Sequence, residues 1–240
     1  MPCPKFTYES EAAWPALRDR LAPRSNPGES VESKVLDILA QVRERGDAAL
    51  VDYTRRFDCP DFDASRLAVP EAEIEAALAQ IPARDLDILK EAIARIRAYH
   101  ANQAERSWWT TEPDGTILGQ LVRPVDRVGL YVPGGQGGET PLVSSLIMNA
   151  VPAQVAGVRE IAVVSPPRRD GTLNPYILAT ASLLGIEEIH LCGSAWAVAA
   201  LAYGTKTIRA CDVIAGPGNI FVATAKALLV GQVGIDMIAG

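Results

Sequence analysis

At 240 residues, 48% hydrophobic and 22% charged, the chain is long enough to bury a substantial core and has the balance of an ordinary globular protein. The net charge of −6 and pI near 5.1 come with no basic patch or stripe, which argues against nucleic-acid binding. The longest uninterrupted apolar run, nine residues from Ala195 to Tyr203, is about half a membrane span, so no membrane role is expected.

Cys3, Cys59, Cys192 and Cys211 have no CxxC spacing, which suggests neither a disulfide framework nor a cysteine zinc site. The opening MPCPKFTYESEAAW lacks the basic-then-apolar pattern of a signal peptide, so a reducing cytoplasm is expected. Charge is uneven along the chain. Residues 1–120 carry 21 acidic and 15 basic side chains, residues 121–240 only 8 of each. The first half therefore reads as amphipathic helices and the second as buried strands and helices.

In chain order, Val31, Val35, Ile38, Leu39 and Val42 fall at helical spacing and predict a helix ending near Gly46. A second helix is predicted over Ala48–Arg56, a third over Glu71–Gln80 before Pro82, and a long fourth over Ala83–Arg106. His100 falls on the apolar face of that fourth helix and reads as a packed, hydrogen-bonded core histidine. Gly115 to Leu130 reads as a strand pair turning at Pro124 to Arg127.

Beyond this point strands and helices alternate. Strands are predicted at Arg127–Val132, Glu160–Ser165, Glu188–Cys192, Asp212–Ala215 and Gly234–Ile238. The intervening helices are Val143–Ala156, Leu173–Leu184, Ala195–Ala202 and Asn219–Leu229. Such alternation means βαβ units, so the fold class is α/β: a Rossmann-like, doubly wound parallel sheet preceded by a helix-rich first part. His190 falls within a strand and reads as core.

Ligands of open parallel sheets bind beyond the carboxyl ends of the strands. Those ends are YVPGGQGGE (131–139), SPP (165–167), CGSA (192–195) and AGPGN (215–219). Small and rigid residues such as Pro133, Gly134 and Gly218 let backbone amides approach a phosphate. Asn219 stands at a helix N-cap, where free amides attract anions. Each glycine is also an ordinary turn former, and the G-x-G-x-x-G fingerprint is absent. The residues by themselves thus lead to an α/β domain for a phosphorylated or nucleotide ligand.

The runs RVGLYVPGG (127–135), SSLIMNAVPAQVAGV (144–158), ALAYGTKTI (200–208), GPGNIFVATAK (216–226) and VGIDMIAG (233–240) together resemble the histidinol dehydrogenase family. RERGDAALVDYTRRFD (43–58), RIRAYHANQ (95–103) and DGTILGQLVRPVDRVG (114–129) match it less tightly. The resemblance implies a homodimeric cytoplasmic enzyme oxidising the small molecule histidinol through its aldehyde to histidine, with two NAD⁺ and a bound zinc. A related branch of the family oxidises other small alcohols.

Carried over, Tyr131 and Asn219 match NAD-contacting positions, and Trp196 stands where the family's G-G-A-Q-A run has its glutamine. An indole offers one N–H and a stacking face in place of an amide. It therefore serves either as a wall for the cofactor or as a plug filling its pocket. The family's zinc ligands and its Glu-His acid–base pair correspond to positions beyond Gly240, so no catalytic or metal residue is expected within this chain. The implied division is a helix-rich part of a discontinuous first domain (1–124), a Rossmann-like NAD-binding domain (125–234), and the start of a strand returning to the first domain (235–240). The chain then reads as a histidinol dehydrogenase polypeptide, truncated or completed by another chain and inactive alone. The alternative is a non-catalytic nucleotide-binding module.

Overall fold

The computed structural model describes residues 10–21, 29–135 and 139–238. Cys3 and part of the YVPGGQGGE loop (136–138) lie outside the described residues. In the first part, a short helix that the spacing does not predict, α1 (Trp14–Leu21), precedes α2 (Glu29–Arg45), α3 (Asp47–Phe57), α4 (Glu71–Ala76) and α5 (Ala83–Ala101), which form as the apolar spacing predicts. Two differences have local causes. The third helix tightens into a 3₁₀ turn at Ala77–Gln80, as helix ends often do. The fourth ends at Ala101 rather than Arg106, its last carbonyls capped by the Asn102 side chain, which donates to Ala98 O at 2.9 Å. His100 is consequently not a core residue. It sits half-buried in the last turn, Nδ1 within 2.6 Å of Gln103 Oε1.

The strand pair also differs from expectation. Its strands are β1 (Trp108–Thr111) and β2 (Ile117–Gln120), antiparallel, and the chain reverses at Glu112–Thr116 rather than at Pro124–Arg127. Asp114 Oδ1 accepts from the Thr116 amide and Gly115 takes φ +86°. Pro-Asp-Gly is thus the turn, and Pro124 is only a connector. Every residue of both hairpin strands is exposed.

The second part is a five-stranded sheet of β3 (Arg127–Tyr131), β4 (Glu160–Ser165), β5 (Glu188–Leu191), β6 (Val213–Ala215) and β7 (Gly234–Ile235). Its order is β5-β4-β3-β6-β7 and all neighbours are parallel. Helices α6 (Val143–Val155), α7 (Pro175–Leu183), α8 (Ser194–Tyr203) and α9 (Ile220–Leu229) connect the strands. All five residues of β3 are buried, as a strand covered on both faces requires. The order reverses at β3, so the crevice between the carboxyl ends of β3 and β6 is where such sheets place a ligand.

The first part packs on the second. Helix α2 lies across α8 and α9, and α4 packs on α7. Asp47, opening α3, accepts from Thr207 Oγ1 at 2.7 Å. Ala68 bridges His190, and Val69 N donates to Ile189 O at 2.9 Å, covering the exposed edge of β5.

At the amino ends of β3–β5, buried Arg127 forks onto both oxygens of Glu188 and reaches Glu160 at 3.3 Å. His190, buried as expected, holds Nε2 at 2.9 Å from Glu188. Burial opposes ionisation of Glu188, but His190 and Arg127 outweigh it and hold the carboxyl down at about 2. This network is at the sheet edge opposite the strand ends that carry the candidate loops.

Candidate functional site

At the carboxyl edge the four loops pack on one another, and that packing explains their glycines. A side chain at Gly134 or Gly193 would strike Pro166, at 2.6 and 2.8 Å. One at Gly216, whose φ is +126°, would lie 2.2 Å from Tyr131 O. One at Gly218 would lie 2.4 Å from Val222, inside the first turn of α9. The loops therefore close tightly around the β3–β6 crevice. Pro133 and Gly134 are half-buried beside it.

Asn219 caps α9 as expected, its Oδ1 accepting from Phe221 N at 3.0 Å and Val222 N at 3.2 Å. With its oxygen so occupied, Asn219 offers a ligand its side-chain NH₂ and the positive end of the helix. The side chain of Tyr131 does not line an open crevice. Its ring is buried, and its hydroxyl accepts from Ser194 N at 3.1 Å, bracing the start of α8. Burial, with the nearby Asp58 and Cys192, pushes the phenol up to about 12, against the lowering effect of the Ser194 amide. Ser194 itself has φ +46°, a left-handed backbone unusual for a residue with a Cβ.

Trp196 is 4% exposed and stacks on two rings of α3. Tyr53 lies 5.4 Å away at 18° and Phe57 5.5 Å away at 22°. Its Nε1 has no hydrogen-bond partner among the described residues. The indole is thus held from the α3 side and forms a wall of a cleft of about 240 Å³. That cleft is shared by Phe57 and Asp58 of the first part with Ser194, Trp196, Asn219 and Phe221 of the second.

Asp58 and Phe57 escape the sequence reading because they lie far along the chain from the sheet loops. The only available signal was their place in the RRFD run ending α3. Asp58 caps that helix through its backbone N–H, which donates to Thr54 O. Its Oδ2 is buried without a partner among the described residues. Burial raises its pKa from 3.8 to about 6. In the unfolded chain the group titrates near 3.8, so the folded state holds the proton more tightly between pH 4 and 6 and loses stability as pH rises through that window. Asp58→Asn removes this loss. Urea unfolding at pH 7 is expected to show the variant ~1–2 kcal/mol more stable, after allowance for partial solvent access, with the gain vanishing near pH 4. A variant less stable at pH 7 contradicts this account of Asp58.

Among the described residues no group of three or more His, Cys, Asp or Glu is placed to hold a metal ion. Neither His100 nor His190 lines the cleft. Zinc therefore does not fit this part of the molecule. A nucleotide does fit, since the cleft combines a capped helix N-terminus, closely approaching loops, an aromatic wall and two polar atoms without partners. No helix among the described residues is long and apolar enough to cross a membrane.

The family model of histidinol dehydrogenase matches residues 22–240. The chain is 64% identical over 236 residues to the histidinol dehydrogenase of Oleidesulfovibrio alaskensis, covering 98% of this chain and 54% of that protein. It is 62% identical to the one from Nitratidesulfovibrio vulgaris, over 98% and 54%. The crystal structure of histidinol dehydrogenase from Elizabethkingia anophelis superposes with a TM-score of 0.83 at 34% identity, covering 96% of this chain and 52% of that one. The chain spans about half the length of the relatives it matches. On the fold, the loops around the β3–β6 crevice and these matches, the chain belongs to the histidinol dehydrogenase family.

Proposed function

We propose that this chain supplies the NAD-binding portion of a histidinol dehydrogenase, an enzyme that oxidises histidinol through its aldehyde to histidine with two NAD⁺. The observation that carries this reading is the carboxyl edge of the sheet, where Tyr131, Pro133 and Gly134 at the end of β3, Trp196 at the start of α8, and Gly218 and Asn219 after β6 meet. The N-termini of α8 and α9 draw the pyrophosphate. Trp196 and Phe57 give a flat ring an apolar face, and Tyr131 braces Ser194 at the start of α8. Bound NAD⁺ supplies the hydride acceptor, while these residues bind and orient it and keep water from one side. No step is assigned to zinc, because no group of three or more His, Cys, Asp or Glu among the described residues is placed to hold it. The division follows the same reading: residues 1–124 in a discontinuous first domain, 125–234 as the NAD domain, and 235–240 starting the return. A cytoplasmic homodimer acting on a small alcohol is the corresponding whole protein.

The test is calorimetric titration of the chain with NAD⁺, alongside an assay for histidinol-dependent NADH formation. Saturable binding is expected, weakened several-fold in Asn219→Ala as cap and NH₂ donor are lost. Turnover by the chain alone is not expected. A folded chain that binds no NAD⁺ sinks the cofactor assignment, and turnover by rigorously purified chain sinks the account of where the base resides.

A further inference from the structure

The hairpin of β1 and β2 is a preformed element that the rest of the molecule leaves uncovered. Its turn is held by Asp114 and Thr116. Its base is held by Ser107 Oγ, which accepts from Val122 N at 2.9 Å and donates to Val122 O at 3.3 Å. Among the described residues the two strands pack chiefly on each other. Side chains alternate across a strand, and the register puts Trp109 and Ile117 on one face and Trp108 and Leu118 on the other. All four are exposed, from 55% at Trp108 to 68% at Ile117. Neither WWTT nor ILGQ contains a charged residue, although exposed edge strands are usually guarded by charges, proline or a bulge. A two-stranded sheet is marginal in water on its own, and a large exposed apolar patch marks an interaction surface.

The two-sided patch decides what covers it. A second copy of the chain would meet it through one shared, two-fold contact. Pairing edge to edge leaves both faces in water, and stacking face to face leaves the opposite face in water. Covering both faces takes a partner that encloses the hairpin as an inner layer of a larger core. The matched relatives contain about as much chain again, since this chain covers 54% of the Oleidesulfovibrio alaskensis protein and 52% of the Elizabethkingia anophelis structure. We propose that the hairpin is a docking element for polypeptide with the sequence of the relatives' unmatched half, joined to this chain or separate. That polypeptide packs on Trp109 and Ile117 from one side and on Trp108 and Leu118 from the other. The proposal rests on the family membership and not on the cofactor reading, because none of these four residues lines the cleft.

The experiment co-produces the tagged chain with the part of the Oleidesulfovibrio alaskensis relative that lies outside the match, and follows the affinity-purified product by light scattering and hydrogen exchange. A one-to-one complex is expected, in which the amides of residues 107–122 exchange at least about tenfold more slowly than in the chain alone. Trp109→Glu and Leu118→Glu, one on each face, should each lower the recovered complex at least about tenfold. Both positions are exposed in the chain itself, so urea midpoints of the two variants alone should match the wild type. A wild-type chain that retains no partner, a complex that leaves residues 107–122 unprotected, or loss of the complex through one face alone overturns the proposal. So does a hairpin-dependent dimer of the chain that persists in the partner's presence, which assigns the surface to a second copy. None of these outcomes bears on whether NAD⁺ binds.

Discussion

Lys226→Met is expected to lower the unfolding free energy by ~3 kcal/mol and to loosen the GPGN loop, so that NAD⁺ affinity falls with stability. Lys226 is fully buried in the last turn of α9. Its Nζ donates to Gly216 O at 3.0 Å and pairs with Asp236 Oδ1. The other Asp236 oxygen accepts from Gly216 N at 2.9 Å. One ion pair thus holds both backbone groups of Gly216, the residue pressed against Tyr131 O with no room for a Cβ. Methionine fills the space but leaves Asp236 and the Gly216 carbonyl without their cation, and breaking one side of a buried pair is the costly change. The value is placed low in the usual range because Asp236 is 30% exposed and water can reach it. Chemical denaturation measures the loss. Asp236→Leu combined with Lys226→Met should cost clearly less than the sum of the two single changes. A loss below 1 kcal/mol, or strict additivity, contradicts the clamp.

The clamp also marks what the sequence could and could not reveal. Strand positions in the second part were legible to within a few residues, and β4 at both ends, because buried parallel strands are short apolar runs bounded by glycine and proline. Asn219 was legible as a cap because capping is local, acting within three residues. The hairpin turns at Asp114-Gly115 and not at Pro124, because the aspartate and glycine satisfy the turn and the proline does not. His100 departs from the apolar periodicity because it falls in the last helical turn before Asn102 caps the end, where it meets Gln103 and not the core. The partners of Trp196 and the open carboxylate of Asp58 were out of reach. They arise where α3 meets α8, across more than a hundred residues of chain, and no local pattern encodes that contact. Lys226 escaped for a similar reason: on composition a lysine near a helix end reads as solvated, and only the fold brings Asp236 to it.

Trp196→Ala is expected to destabilise the chain by ~3 kcal/mol or more, the range for truncating a large buried aromatic. The indole is 4% exposed and supports both Tyr53 and Phe57, so its loss leaves a hole beneath two rings at the contact between the first and second parts. Phe57 is itself 57% exposed and can settle only partly into that hole. Packing and ligand binding are separable by a second substitution. Trp196→Phe keeps a smaller aromatic face and removes the unpartnered N–H with part of the indole's bulk, so it should cost clearly less stability than the alanine variant. Its NAD⁺ affinity should nevertheless fall several-fold, because the wall that Trp196 gives the cleft shrinks and its unpartnered donor is lost. Trp196→Gln restores the residue type of the family run together with amide donors, but gives up the stack. It should therefore bind NAD⁺ at least as well as the phenylalanine variant while being less stable than it. Denaturation midpoints and NAD⁺ titrations of the three variants decide between roles. If affinity follows stability across all three, Trp196 is a packing residue alone; a phenylalanine variant that is stable and binds poorly assigns the indole N–H to the cofactor.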